Sequence, residues 1–203
     1  LTKDTVTNIN VDEINNDNYL VSAKADGERY LLYISLLGNV YLINSNRDVI
    51  NTGLISDNFE TIIDGEYITD YKPGLSLYKD SSLSYNLEHL FDYRAFDIYY
   101  NKSESIYTKT LNERLEILNN INFTKKDNLA LNFSIKEYYS LNEINTIINN
   151  DNDNKLNYNI DGIIFQPLDS YTSESIKNIK NYKIFKWKSE NYNTIDFIIN
   201  INK

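Results

Sequence analysis

Glu28-Arg29-Tyr30-Leu31-Leu32-Tyr33-Ile34-Ser35-Leu36-Leu37, then Gly38-Asn39, then Val40-Tyr41-Leu42-Ile43, is the stretch that decides the fold. Aromatic and aliphatic residues crowd both arms, and Gly-Asn suits a tight turn. The reading is a β-hairpin. Thr61 to Ile68, Arg94 to Tyr100, Ile160 to Gln166, Tyr182 to Lys188 and Thr194 to Ile201 repeat the same strand character. Helical signals are fewer. Thr110 and Glu113 have capping-box spacing, with Leu111, Leu115, Leu118 and Ile121 following on one face. Ser140 and Glu143 repeat the signal before Ile144, Ile147 and Ile148. Asn149 to Asn154 reads as a loop grown from low-complexity sequence. Strands outnumber helices and are mostly hairpin-linked. The expected class is α+β, with mainly antiparallel sheets and flanking helices. No internal repeat or interdomain linker is visible, so residues 1–203 read as one domain.

Composition narrows the chemistry. With 41% hydrophobic and 13% aromatic residues, the chain can build a sizeable core. It has no Cys and a single His, His89, which excludes disulfides, thiolate sites and multi-histidine metal centres. A metal would rest on carboxylates, which favours a hard cation such as Mg²⁺. The net charge of -9 argues against a broad basic surface that coats nucleic acid, but permits an enzyme that grips a phosphorylated end. No run approaches the apolar length of a membrane span, so no membrane partner is expected. The chain begins at Leu1 and holds no Met, so it is expected to be part of a longer protein.

Five short motifs bear on function. Lys24-Ala25-Asp26-Gly27-Glu28-Arg29 ends a strand-like run and then turns. A lysine there is a candidate covalent nucleophile. An amine of ordinary pKa near ~10.4 must first lose its proton, and nearby cations favour that loss. The plainer reading is a surface turn built on Asp-Gly. Asp64-Gly65-Glu66 offers the Glu66 carboxylate to a ribose hydroxyl or a metal, or is an exposed acid on a strand. Phe96, before Asp97, stacks on a purine or fills core. Asp161, opening Asp161-Gly162-Ile163-Ile164-Phe165-Gln166-Pro167, is placed to hold a metal or water near phosphate. In Phe185-Lys186-Trp187-Lys188, strand alternation puts Lys186 and Lys188 on one face, where they either bind a triphosphate or face solvent.

The order of these motifs says more than any one of them. Lys-x-Asp-Gly-x-Arg, Asp-Gly-Glu, Phe-Asp, Asp-Gly-Ile-Ile-Phe and Lys-Trp-Lys together resemble the covalent nucleotidyltransferase superfamily of ATP-dependent DNA ligases, RNA ligases and mRNA capping guanylyltransferases. The resemblance runs from about Tyr19 to Phe197. Three features look like the capping branch. They are Tyr19 to Leu32 as a whole, the Phe165-Gln166-Pro167 continuation, and Asn193-Thr194-Ile195-Asp196-Phe197 after Lys-Trp-Lys.

The resemblance implies a nucleotide cleft between sheets and a role for each matching residue. Lys24 matches the nucleophile that becomes linked to GMP. Arg29 matches the sugar-contacting arginine, and Arg47 an arginine that helps bind nucleotide. Glu66 matches the acid on ribose or metal, Phe96 the guanine-stacking ring, and Asp161 the metal-proximal acid. Lys186 and Lys188 match the phosphate-binding pair. Lys136 loosely matches a base-contacting lysine, and Asp196 an acid of unassigned role. Ser189 stands where the family usually has Pro.

The implied reaction uses GTP with Mg²⁺ or Mn²⁺, and passes GMP through Lys24 to the 5′-diphosphate end of RNA. The resemblance also implies neighbouring parts of the same protein: an OB-fold domain, absent from these 203 residues, and triphosphatase and methyltransferase domains. A viral protein acting in the cytoplasm is expected, with the nucleus as the alternative. An ATP-dependent ligase adenylation domain and a degenerate nucleotide-binding module are the competing readings.

Overall fold

The computed structural model describes residues 14–69, 92–126, 131–153, 155–156, 158–172 and 183–188. Two sheets carry the fold. The larger begins with the hairpin read from sequence. In β2 (Glu28–Ile34), Tyr30, Leu32 and Ile34 are buried while Arg29 and Leu31 are exposed. That is the alternation of a strand with one face on a core. β2 pairs in antiparallel fashion with β3 (Asn39–Ile43) on one side and β5 (Thr61–Ile68) on the other. β4 (Val49–Ile55) follows β3, and β6 (Asp92–Asn101) follows β5. The short strands β7 (Glu104–Ser105) and β8 (Thr124–Lys125) close the two edges. β9 (Asn132–Ile135) lies parallel to β6. The smaller sheet has three antiparallel strands: β1 (Tyr19–Ala25), then β10 (Ile160–Pro167), then β11 (Phe185–Trp187).

Each sheet has a helix on its back. α1 (Leu111–Asn119) begins at Thr110, whose hydroxyl accepts from the Glu113 backbone N–H while the Glu113 carboxylate takes the Thr110 N–H. The expected capping box is therefore formed. Leu118 enters the core of the larger sheet with Tyr30, Leu32, Leu42 and Ile98. α2 (Ile144–Asn152) puts Ile147 against Val21, Ala23 and Ile163 of the smaller sheet. The sheets' other faces meet across a cleft. None of the described helices is long and apolar enough to cross a membrane.

The α+β expectation holds, and several details differ from the sequence reading. β4 was not anticipated. Its Asn51 and Gly53 break the strand pattern, and the Asn51 side chain accepts from the Gly53 N–H at 3.1 Å beside a shift in register with β3. α1 stops before Ile121, which is still buried in the core just past the helix. The Ser140–Glu143 box caps a 3₁₀ turn (Leu141–Glu143), and α2 starts only at Ile144. Asn149 to Asn152, expected as loop, complete α2, because Ile147 anchors the helix from one turn earlier. Ile148 is exposed. Thr194–Ile201 lies outside the described residues.

Candidate active site

The cleft between the sheets encloses about 770 Å³. Lys24 stands at its end because of a local irregularity. The β1–β10 register shifts between Ala23 and Ala25, so Lys24 sits at a bulge. Asp161 and Gly162 of β10 together stand opposite the single Lys24, and because bulges re-aim side chains, this one brings Asp161 onto Lys24. Lys24 Nζ lies 2.5 Å from Asp161 Oδ1. Lys188 Nζ lies 2.5 Å from Asp161 Oδ2, so one carboxylate holds two ammonium groups. Burial pushes the Asp161 carboxyl up, but hydrogen bonds from Lys188 and Lys24 outweigh it and leave the group below the usual carboxylate range.

Gly162 makes this convergence possible. A Cβ there, at φ 152°, would stand 1.9 Å from the Trp187 carbonyl oxygen. Only glycine lets β11 run this close to β10, which brings Lys188 onto Asp161 and Lys186 to the cleft wall. Gly162→Ala is expected to cost roughly 1–3 kcal/mol of stability, as overpacking does, and to weaken any reaction that needs those lysines. Thermal melting together with nucleotide labelling checks both parts.

The larger sheet supplies the opposite wall. Arg29, 58% exposed at its side chain, forms a two-pronged pair with the fully buried Asp64: Nε to Oδ1 at 2.9 Å and Nη2 to Oδ2 at 2.5 Å. The Tyr99 hydroxyl donates to Asp64 Oδ2 at 2.5 Å. Glu66, two residues along β5, also lines the cleft. Its carboxyl is raised by burial, against the pull of Lys136, Lys24 and Lys186. The Phe96 ring lines the cleft, and Lys136 Nζ lies 5.2 Å from its centroid. Lys136 is brought down to about 8 by burial, which the attraction of Glu66 opposes.

Most of the sequence-predicted residues thus come together. Lys24, Arg29, Glu66, Phe96, Lys136 and Lys186 line the cleft, and Asp161 with Lys188 closes the end where Lys24 sits. Arg47 does not join them. It sits on the exposed turn between β3 and β4, at φ 69°, and is not part of the cleft wall. Asp196 lies outside the described residues. Sequence reasoning missed Asp64, Tyr99, Tyr138, Gln166 and Tyr171, all of which line the cleft. It also missed Arg114, fully buried and bonded to Asp97 by Nε at 2.7 Å and Nη2 at 3.1 Å. The signal for Arg114 was present: a charged residue between Leu111 and Leu118 on the apolar stripe of α1.

The fold is that expected of a covalent nucleotidyltransferase, and its cleft is lined by Lys24, the Phe96 ring and Lys136. The sequence profile of the family described as mRNA capping enzyme, catalytic domain, matches residues 5–190. The chain belongs to that family. It is 26% identical to an mRNA-capping enzyme of Caenorhabditis elegans, over 96% of this chain and 32% of that protein. It is 24% identical to an mRNA-capping enzyme of Danio rerio, over 96% of this chain and 33% of that protein. The chain therefore spans about a third of the length of these relatives. Among solved structures, the ligase domain of M. tuberculosis LigD is similar at a TM-score of 0.49 and 13% identity, covering 78% of this chain and 50% of that chain.

Proposed function

We propose that this protein is an mRNA guanylyltransferase that carries GMP on Lys24. The observation that carries the reading is the pairing of Lys24 and Lys188 on one Asp161 carboxylate at the end of a cleft lined by Phe96. In the first step the Lys24 amine, having shed its proton, attacks the α-phosphorus of GTP. An N–P bond forms, the bond to the β-phosphate oxygen breaks, and pyrophosphate leaves with the electron pair. In the second step a terminal phosphate oxygen of a 5′-diphosphate RNA attacks the same phosphorus, giving GpppRNA and releasing the lysine.

Each side chain has a task set by its place. Asp161, held below its usual range, is a weak base, so its work is to place the two ammonium groups. Lys186 supplies positive charge where the α-phosphate gains negative charge. Arg29, fixed by Asp64, offers its guanidinium to the sugar. Among the described residues no three acids converge into a metal cage. That fits Mg²⁺ or Mn²⁺ arriving with the nucleotide, since Mg²⁺ usually takes one or two carboxylates and completes its shell with phosphate oxygens. Glu66 and, once an ammonium group leaves one of its oxygens, Asp161 are the acids that would hold it, and when bound it would neutralise phosphate charge. The RNA end and the OB-fold, triphosphatase and methyltransferase domains are partners on the same reading.

Base choice separates this function from an ATP-dependent ligase. Guanine and adenine both stack on a ring, so Phe96 cannot tell them apart. Lys136 beside that ring offers a donor that suits guanine O6. The adenine amino group would leave it unpaired, at roughly 1–3 kcal/mol for a buried group. Labelled GTP is therefore expected to form the lysine adduct at least about tenfold better than labelled ATP. Phe96→Ala should weaken both nucleotides and leave their ratio unchanged. An adduct formed as well with ATP assigns the protein to the ligases.

A further inference from the structure

The Phe96 ring is only as well placed as its backbone, and that backbone is irregular. Asp64 pairs with Asp97 and Gly65 with Ala95, so Phe96 is the extra residue of a β-bulge in β6. A bulge leaves its extra residue without a ladder partner. The Phe96 carbonyl is met by a side chain: the Tyr138 hydroxyl donates to it at 2.8 Å. The same hydroxyl lies 2.9 Å from Oε1 of Gln166 on β10. Gln166 is 4% exposed, and its Nε2 reaches Oδ2 of the buried Asp97 at 3.5 Å. Asp97 is itself held by Arg114 and by the Tyr171 hydroxyl at 2.8 Å. One hydroxyl, its single hydrogen shared between these two acceptors, thus lies between the bulge of the larger sheet and β10, the strand of the smaller sheet that carries Asp161.

We infer that Tyr138, backed by Gln166, is a positioning residue for the base subsite. It fixes the Phe96 platform relative to the smaller sheet, and so sets where a stacked base holds its α-phosphate against Lys24. The inference rests on the functional reading above. It assigns Tyr138 no contact with the reacting atoms. The phosphate end of the cleft, formed by Lys24, Asp161, Lys186 and Lys188, does not depend on it.

Tyr138→Phe removes one hydroxyl and keeps the ring. Binding of GTP and of pyrophosphate to wild-type and variant protein, with melting temperature measured alongside, tests the idea. The variant should bind GTP about tenfold more weakly, the worth of one good hydrogen bond. Pyrophosphate, which carries no base, should bind within about twofold of wild type. On a Phe96→Ala background Tyr138→Phe should add no more than about twofold, because the hydroxyl acts through that ring. Unchanged GTP binding, an equal loss for pyrophosphate, or losses that multiply in the double variant overturn the inference. If the wild type binds GTP and Tyr138→Phe binds it equally well, the inference fails and the functional reading stands. If the wild type binds no GTP, the functional reading fails and takes the inference with it.

Discussion

Lys24→Ala protein incubated with labelled GTP is expected to carry no label through denaturing electrophoresis, while its fold stays close to wild type. Labelling is lost because no other amine among the described residues is placed as this one is. Lys186 and Lys188 belong to β11 and the residue after it, whereas Lys24 stands on β1, opposite the bulge of β10 that carries Asp161 and Gly162, and lines the cleft. The fold survives because the substitution does not strand a charge. Removing one partner of a buried ion pair is destabilising mainly when the other is left alone. Here Asp161 keeps Lys188 at 2.5 Å, and the Lys24 side chain is already 19% exposed. Mass spectrometry of the wild-type adduct provides the second check. GMP found on any other lysine refutes the assignment whatever the variant does.

How much of this was legible in the sequence depends on whether a residue's task is local. The hairpin at β2 and β3, both capping boxes and the strand holding Asp161 follow from propensity and spacing within a few residues, and they appear as read. Lys24, Glu66, Phe96 and Lys186 could be singled out because each stands in a short motif, and all four line the cleft. Asp64 stands in the same motif as Glu66 yet was passed over. Its partners Arg29 and Tyr99 are each 35 residues away, and nothing in a local window says that a strand acid faces them. The contacts of Tyr138 and Gln166 were invisible for a related reason. Tyr138 meets a carbonyl freed by a bulge, Gln166 lies against the same hydroxyl, and the bulge exists only once β5 and β6 have paired. Arg47 was assigned to the nucleotide by family correspondence alone; it lies on the exposed turn between β3 and β4 and is not among the residues that line the cleft.

Lys186→Ala and Lys188→Ala are each expected to slow adduct formation by about 10²–10³-fold, the usual cost of losing a preorganised donor at a charged transition state. The two losses should differ in kind. Lys186 lines the cleft and has no salt bridge among the described residues, so its removal takes positive charge from the place where the α-phosphate develops negative charge. Lys188 is bound to Asp161, and its removal leaves Lys24 as that carboxylate's ammonium partner. The Asp161 carboxyl lies below its usual range because Lys188 and Lys24 together outweigh its burial. Without Lys188 it should titrate higher. The sign follows: a depressed carboxyl holds its charge until the pH falls through its lowered pKa, so a less depressed one is protonated at a higher pH. The acid limb of the labelling profile should therefore move to higher pH in Lys188→Ala and stay in place in Lys186→Ala. Rates of GMP labelling measured across the acid range separate the two roles. If both variants label within about threefold of wild type, the pair only solvates the edge of β11, and the phosphate-binding role belongs to other residues.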